Sequence, residues 1–274
     1  MKDETEMTTD IVDGEIVGLT TNEVTYPLLV SLQGETKRGK TYFGASFPNA
    51  FVLDFAPSIM SFGKVKADEI AMTRTVGEGF RSIFNPVKRG DEVHWVSKID
   101  GFNFKQQYVF IKSLDHLEAA IEKAKMFKET LSSDAGKVWI VVDDTTRWRS
   151  MEVLAWFEKN KKWPAKEAFG AITQGMQSKL SDWQNDFNVL LIHKMVRSFE
   201  TGEPVAQVYP SNADYVADCN IEIGYAIKDG KQHQIVKVHS NGHCFACNEA
   251  YINEVVDPDP MTVLSALRVP RELW

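Results

Sequence analysis

The segment GETKRGKT, residues 34–41, constrains the fold of this chain more than any other feature of the sequence. It matches the pattern G-x-x-x-x-G-K-[ST] at every position. Its glycines permit a tight loop between a strand and a helix, with backbone N–H groups turned towards phosphate oxygens. An apolar run precedes the loop, and a short helical stretch, 41–46, follows it before Pro48. The sequence therefore predicts a phosphate-binding loop, with a glycine-rich surface turn as the alternative.

Each position of this loop has an expected task. Lys40 is expected to reach the β- and γ-phosphates, and the Thr41 hydroxyl to hold Mg²⁺. The helix that follows directs its N-terminus at the phosphates. The predicted ligand-binding residues are Gly34, Glu35, Thr36, Lys37, Arg38, Gly39, Lys40, Thr41 and Tyr42.

Four apolar runs predict the central sheet. They do not alternate with polar residues, as expected for parallel strands that are covered on both faces. Two segments with helical spacing of apolar residues, 114–131 and 172–187, lie between them. The sequence therefore predicts an α/β fold with a mainly parallel sheet. Two alternating runs joined by Asp229-Gly230 predict short antiparallel strands near the C-terminus. The four apolar runs are residues 27–32, 50–55, 138–142 and 189–192.

The chain divides into three segments by composition. Residues 1–25 are expected to form a flexible acidic arm, 26–250 the main domain with an irregular insertion at about 60–110, and 251–274 a tail. No run approaches the ~20 apolar residues of a membrane span, and no secretory signal is evident. Three cysteines indicate a reducing compartment, so a cytoplasmic location is expected. The net charge of −7 confines any nucleic-acid contact to a local patch.

Polar residues follow three of the predicted strands. Asp143 ends the third run, where a carboxylate is expected to hold the Mg²⁺ shell. Asp144 is positioned either to polarise an attacking water or to cap a helix. Asp54 is a rival general base, with a turn cap as its alternative. His193 is expected either to bond the γ-phosphate or to satisfy a backbone carbonyl. Parallel strands bring such residues to the ligand-binding edge of a sheet.

These motifs together resemble a known family. The segments GETKRGKT, FVLDF, WIVVDDTT and LLIHKM are similar to those of RecA-like P-loop ATPases, in particular the nucleotide-binding proteins of that fold that phages encode. The resemblance implies a RecA-like core that binds ATP and Mg²⁺ and hydrolyses ATP. It also implies a homo-oligomer with ATP at subunit interfaces, which acts on single-stranded DNA in phage recombination or replication in the host cytoplasm.

The resemblance also assigns roles to particular residues. It places the acidic catalytic residue at Asp54 and DNA contacts in two loops, at about 158–170 and 194–212. Cations beside an aromatic ring suit a single strand, although a solvated helix end is the alternative. Lys194 or Arg197 is expected to act as a finger on the ATP of a neighbouring subunit. The candidate DNA contacts are Lys159, Lys161, Lys162, Trp163 and Arg197.

A compact group of histidines and cysteines is a weaker candidate for zinc. His239, His243, Cys244 and Cys247 have ligand types that Zn²⁺ accepts. A reduced hairpin with partly buried thiols is the favoured interpretation.

Two other functional classes stay open at this point. A small-molecule P-loop kinase usually carries an arginine-rich lid, and no such lid is evident in the sequence. An interaction protein that uses ATP only for assembly would bind the nucleotide with little turnover.

Overall fold

The computed structural model describes the parts of the chain that carry the predicted core. These are residues 11–12, 15–16, 27–45, 47–56, 84–89, 92–97, 105–131, 136–211, 217–241, 254–256 and 260–266. The strands are β1 (Ile11–Val12), β2 (Glu15–Ile16), β3 (Leu29–Gln33), β4 (Ala50–Asp54), β5 (Phe84–Arg89), β6 (Glu92–Ser97), β7 (Lys105–Phe110), β8 (Trp139–Asp143), β9 (Asn188–Ile192), β10 (Lys194–Arg197), β11 (Pro204–Gln207), β12 (Cys219–Lys228), β13 (Lys231–Asn241) and β14 (Glu254–Val256). The helices are α1 (Lys40–Ala45), α2 (Leu114–Glu129), α3 (Thr145–Asn160), α4 (Lys166–Gln184) and α5 (Pro260–Ala266).

One large sheet organises these elements, in the order β14-β13-β12-β3-β9-β8-β4-β7-β6-β5. The strands from β12 to β7 in this order pair in parallel. Antiparallel strands extend both ends of the sheet, β13 and β14 on one side and β6 and β5 on the other. The predicted α/β fold, with a mainly parallel sheet and antiparallel C-terminal strands, is confirmed.

The central strands are buried on both faces, which explains their continuous apolar runs. In β8, Ile140 and Val142 belong to one buried cluster, whereas Trp139 and Val141 belong to the other. Successive side chains of a strand point to opposite faces, so each face of the sheet has its own core. Helices α2, α3 and α4 cover the first face, and α1 and α5 cover the second.

The predicted helix at 114–131 has boundaries close to those observed. Helix α2 begins after Ser113, whose Oγ accepts a hydrogen bond from the backbone N–H of His116 at 3.1 Å. This is the capping role expected of Ser113. Helix α4 begins at Lys166, six residues before the first apolar residue that predicted it, because its first turns are mostly solvent-facing and carry no buried periodicity.

Part of the predicted insertion belongs to the main sheet. Strand β7 pairs in parallel with β4, and β6 and β5 follow it as an antiparallel extension.

None of the helices in the described part of the chain is long and apolar enough to span a membrane.

A stack of aromatic rings joins the helices to the first face of the sheet. The Trp148 ring lies 5.1 Å from that of Trp183 and 6.1 Å from that of Phe55, measured between centroids. Its indole N–H donates to Glu152 at 3.0 Å, and Trp148 is fully buried. This tryptophan therefore ties α3 to α4 and to the end of β4.

We expect Trp148→Ala to lower the free energy of unfolding by about 3–5 kcal/mol, because it removes a buried ring and leaves a cavity. Trp163→Ala is the matched control. Trp163 is 68% exposed, so its removal is expected to change the stability by less than about 1 kcal/mol. Urea unfolding followed by circular dichroism measures both values, and equal losses in the two variants would contradict the assignment of the core.

Candidate phosphate-binding site

The register of the parallel strands brings the predicted polar residues to one edge of the sheet. Asp54 pairs with Asp143, and Asp143 with Ile192, so the ends of β4, β8 and β9 are level. Leu32 pairs with Ile192, so the loop that follows β3 and the His193 that follows β9 begin at the same height. The sequence could not give this register, since it depends on pairing between distant segments.

The loop between β3 and α1 has the backbone of an anion-binding turn. Lys37 and Gly39 have positive φ angles of 66° and 90°, and such residues in a turn let successive backbone N–H groups line one anion-binding concavity. Within the described part of the chain, the backbone N–H groups from Thr36 to Lys40 donate no hydrogen bond to another protein group. Five consecutive donors are therefore available to a phosphate. Tyr42 lies in α1, where its side chain is outside the described residues.

Lys40 lies folded across this loop. Its Nζ donates to the carbonyl oxygens of Gly34 and Glu35, both at 2.7 Å. Burial lowers the pKa of the Lys40 ammonium, while the charges of Asp143 and Asp144 act in the opposite direction. Among the residues that the structure describes, only carbonyl oxygens hold this partly buried cation, so it can turn towards an incoming phosphate.

Thr41 and Asp143 connect the loop to the end of β8. The Thr41 hydroxyl donates to Asp143 Oδ2 at 2.5 Å. Burial raises the pKa of the Asp143 carboxyl to about 6, although the Thr41 hydrogen bond acts to lower it. A hydroxyl beside a buried carboxylate is a set of hard oxygen ligands of the kind that Mg²⁺ takes. These two residues therefore fit the predicted cation.

Asp144 has a partner for each of its oxygen atoms. Oδ1 accepts the backbone N–H of Arg147 at 2.8 Å, so Asp144 is the N-cap of α3. Oδ2 pairs with Lys194 Nζ at 2.7 Å. This geometry agrees with the capping alternative, and each oxygen of Asp144 is engaged by a protein group.

Lys194 thus lies at the same edge of the sheet as the candidate phosphate-binding loop of its own chain. Its charge also acts on the pKa values of Lys40 and Asp143. Arg197, three residues further on, contributes to the lowered pKa of Glu35, behind the larger effect of Arg38. A role of Lys194 or Arg197 in a neighbouring subunit stays a prediction.

His193 is fully buried at the end of β9. Its Nδ1 lies 2.8 Å from Thr145 Oγ1, and burial lowers the pKa of its imidazole to about 3. Among the residues that the structure describes, Nε2 has no hydrogen-bond partner. The imidazole is therefore neutral at physiological pH, and it bonds a threonine side chain rather than the backbone carbonyl that the sequence suggested as an alternative.

Asp54 is the buried carboxylate at the end of β4. It is fully buried, and its Oδ1 accepts the backbone N–H of Ala56 at 2.9 Å. Its turn-capping alternative is thus present in the structure. Its register partner Asp143 places it beside the residues that fit Mg²⁺.

Side chains of the β12–β13 hairpin, which the sequence does not mark, contact the outward side of the loop. Arg38 pairs with Glu35 at 2.7 Å, and its guanidinium lies 5.3 Å from the ring centroid of Tyr225. Gln234 Nε2 donates to the backbone carbonyl of Arg38 at 2.8 Å. Tyr225 and Gln234 lie on the paired strands β12 and β13, nearly 200 residues from the loop, and no motif marks them.

The candidate DNA contacts lie at the surface after α3. Lys159, Lys161 and Lys162 are exposed, and in the described part of the chain they form no ion pair. The Trp163 ring is 68% exposed and lies 5.0 Å from that of Phe157. Both the predicted patch and its alternative, a solvated helix end, are compatible with this exposure.

The second predicted loop is a hairpin formed by β10 and β11. Val196 and Val205 face each other across it and are both exposed, and Phe199 at its tip is fully exposed. The sequence prediction named Arg197, which is exposed here, but it did not single out Phe199.

Arg149 connects two aromatic residues that lie within the two predicted loops, one in each. Its guanidinium lies 5.0 Å from the Phe169 ring centroid and 4.6 Å from that of Tyr209. Phe169 lies in the first turn of α4, and Tyr209 follows β11. These stacked contacts link the two protein loops that are predicted to contact DNA.

The candidate zinc ligands are only partly described. His239 Nε2 contacts Glu222 Oε2 at 2.8 Å, and His243, Cys244 and Cys247 lie outside the described residues. Where the structure describes the chain, no three His, Cys, Asp or Glu side chains are grouped so as to hold a metal ion. Cys219 is buried, and burial raises the pKa of its thiol to about 12.

No protein-family model matches this sequence, and a search of curated proteins finds no match. Solved structures that are similar to it include the following two. The KaiC-like protein PH0186 from Pyrococcus horikoshii is 11% identical, with a TM-score of 0.43, 84% of this chain covered and 85% of that chain. The flagellar accessory protein FlaH from Methanocaldococcus jannaschii is 11% identical, with a TM-score of 0.38 and 84% of each chain covered. At these values the similarity assigns no activity to this chain.

We expect His193 to make the protein less stable as the pH falls. The folded chain binds the His193 proton only near pH 3, whereas an unfolded histidine binds it near pH 6.5. Between these values the unfolded chain holds more protons, so stability decreases by about 1.4 kcal/mol per pH unit. Urea unfolding at pH 7 and pH 5 measures this dependence.

His193→Gln is the comparison, since its amide does not titrate. Between pH 7 and pH 5 the wild type is expected to lose about 2 kcal/mol more than this variant does. The same pH dependence in both proteins would show that His193 is not held neutral. Only the change with pH is compared, so a constant loss of stability in the variant does not affect the result.

Proposed function

We propose that this protein is a Mg²⁺-dependent ATP hydrolase of the RecA-like type. The observation that carries the proposal is the contact between Thr41 and Asp143, which joins the phosphate-binding loop to the acidic end of β8. The matching register of β3, β9, β8 and β4 supports it, because all four strands end at the level of this contact. The sequence resemblance to RecA-like ATPases supplies the choice of ATP.

In this proposal the loop and Lys40 bind the phosphates. The free N–H groups of Thr36 to Lys40 surround the phosphate oxygens, and Lys40 exchanges its carbonyl partners for them. Thr41 and Asp143 hold Mg²⁺, which neutralises phosphate charge when it is bound. Charge that develops on the γ-phosphoryl group is thus met by donors already in position.

Asp54 is the residue that we assign to the attacking water. Its carboxylate orients the water and accepts its proton as the oxygen attacks the γ-phosphorus, with ADP as the leaving group. Asp144 is less suited, because the Arg147 N–H and the Lys194 ammonium engage its two oxygens. The neutral His193 adds a polar group at the same edge without adding charge.

The proposed partner is single-stranded DNA. The proposed setting is phage recombination or replication in the host cytoplasm. Three exposed lysines lie beside Trp163, and the fully exposed Phe199 is at the tip of the β10–β11 hairpin. Aromatic side chains stack on the bases of a single strand and lysine ammonium groups contact its phosphates, and neither contact requires a particular DNA sequence. On the basis of the RecA-like resemblance, we further propose that the protein forms a homo-oligomer with ATP bound between subunits.

The first test is the rate of ATP hydrolysis with and without single-stranded DNA. We expect turnover that DNA stimulates, and its loss in Lys40→Ala. Asp54→Asn is expected to lower kcat by about 10²-fold or more while ATP affinity changes by less than about threefold, since the amide cannot accept the proton.

Other outcomes redirect the assignment. Turnover that needs a phosphate acceptor instead of DNA would indicate a kinase. ATP binding without turnover, at high protein concentration and with DNA, would indicate an assembly protein. No ATP binding at all would contradict the phosphate-binding loop itself.

The DNA contacts predict a specific pattern of losses. Trp163→Ala and Phe199→Ala are each expected to weaken binding of an oligothymidylate about tenfold, the size of one lost stacking contact. Replacing Lys159, Lys161 and Lys162 by Gln is expected to reduce the slope of log K against log salt by about 2, because each single-strand phosphate contact contributes about 0.7.

Fluorescence anisotropy over a range of salt concentrations measures both effects. Ile227→Ala is the matched control, since Ile227 is 80% exposed but lies at the end of the β12–β13 hairpin, outside the proposed contacts. Equal losses in Ile227→Ala and Phe199→Ala, or an unchanged salt slope, would contradict this surface.

A further inference from the structure

The β12–β13 hairpin supports the phosphate-binding loop from its outer side. Gln234 Nε2 donates to the Arg38 carbonyl at 2.8 Å, and Tyr225, its register partner, lies under the Arg38 guanidinium. At the start of the loop, a Cβ on Gly34 would lie 2.6 Å from the Ile223 carbonyl oxygen. The loop thus contacts the hairpin at both of its ends.

The Gln234 contact fixes the direction of one peptide group. The Arg38–Gly39 peptide is trans and planar, so its carbonyl and its N–H point in opposite directions. Because the carbonyl is held towards the hairpin, the Gly39 N–H is turned away from it. That direction is the inner side of the loop, where a phosphate meets the free donors.

Gly39 is required by the same contact. Its φ of +90° strains any residue with a side chain, and a Cβ there would collide with the Gln234 amide. The second glycine of the motif therefore allows the carboxamide of Gln234 to approach the backbone. A distant side chain and a motif residue form one unit.

The side chain of Arg38 does not compete for the phosphate in this arrangement. It is engaged by Glu35 at 2.7 Å and by the Tyr225 ring, both on the outer side of the loop. The inner side keeps the backbone N–H groups and Lys40. The hairpin therefore separates the charged outer face of the loop from its phosphate-binding face.

We propose that Gln234 is a positioning residue for polyphosphate binding, which acts by turning the Gly39 N–H towards the bound phosphate. This inference rests on the proposed function, because it assumes that the loop binds a nucleotide. It adds a group on a C-terminal hairpin to a site otherwise built from the ends of β3, β4, β8 and β9.

The test compares two substitutions that remove the amide donor. Gln234→Glu keeps the shape of the side chain but presents a carboxylate to the Arg38 carbonyl, and Gln234→Leu removes polarity altogether. Gln232→Leu is the matched control, two residues earlier on the same strand and exposed. Isothermal titration with MgATP and with magnesium pyrophosphate measures affinity, and circular dichroism and melting temperature establish that each variant is folded.

We expect both Gln234 variants to bind MgATP and pyrophosphate about tenfold more weakly, the size of one lost hydrogen bond to a charged group. The loss is equal for the two ligands because it concerns a phosphate contact and not the base. KM is expected to rise with Kd while kcat changes less than about threefold. Gln232→Leu binds as the wild type does.

The remaining outcomes separate the two hypotheses. Wild-type affinity in Gln234→Glu and Gln234→Leu, with binding lost in Lys40→Ala, would overturn the role of Gln234 and leave the proposed function intact. An equal loss in Gln232→Leu would also overturn it, because the effect would then belong to the hairpin as a whole. A wild-type chain that binds neither ATP nor pyrophosphate would overturn both.

Discussion

The register of four parallel strands is the constraint on which this site depends. Leu32 pairs with Ile192, Ile192 with Asp143 and Asp143 with Asp54, so β3, β9, β8 and β4 end together. Both faces of these strands are buried, and a slip of one residue would exchange the side chains of the two cores. Hydrophobic packing therefore fixes the position of the polar groups that follow each strand.

Those polar groups are buried, and the structure shows how their burial is made tolerable. Asp143 accepts the Thr41 hydroxyl, Asp144 caps α3 and pairs with Lys194, and His193 bonds Thr145 and stays neutral. A buried polar group without such partners destabilises a fold by a few kcal/mol. The same contacts leave Lys40 and the loop N–H groups as the donors that face a ligand. The network that stabilises this edge also determines which groups can act on a phosphate.

Much of this arrangement was predictable from local patterns. The loop motif, the four apolar runs and the Ser113 cap each depend on neighbouring residues, and each lies where the sequence indicates. The sequence is compatible with two roles for Asp144, because a residue that follows a strand and precedes a helix suits both. Its contacts with Arg147 and Lys194 favour the cap. The start of α4 at Lys166 was missed, since exposed first turns have no apolar periodicity.

The sequence alone determined that this chain has a glycine-rich loop with the phosphate-binding motif between a strand and a helix, and acidic residues at the ends of buried strands. Motif spacing and apolar runs are local properties, so one chain is enough to find them. Only the tertiary structure decided the strand order and the ion pair between Lys194 and Asp144. It alone also placed Gln234 against the carbonyl of Arg38, 196 residues away. These contacts join segments that are distant in sequence, and their distances follow from how the sheet and its hairpins pack.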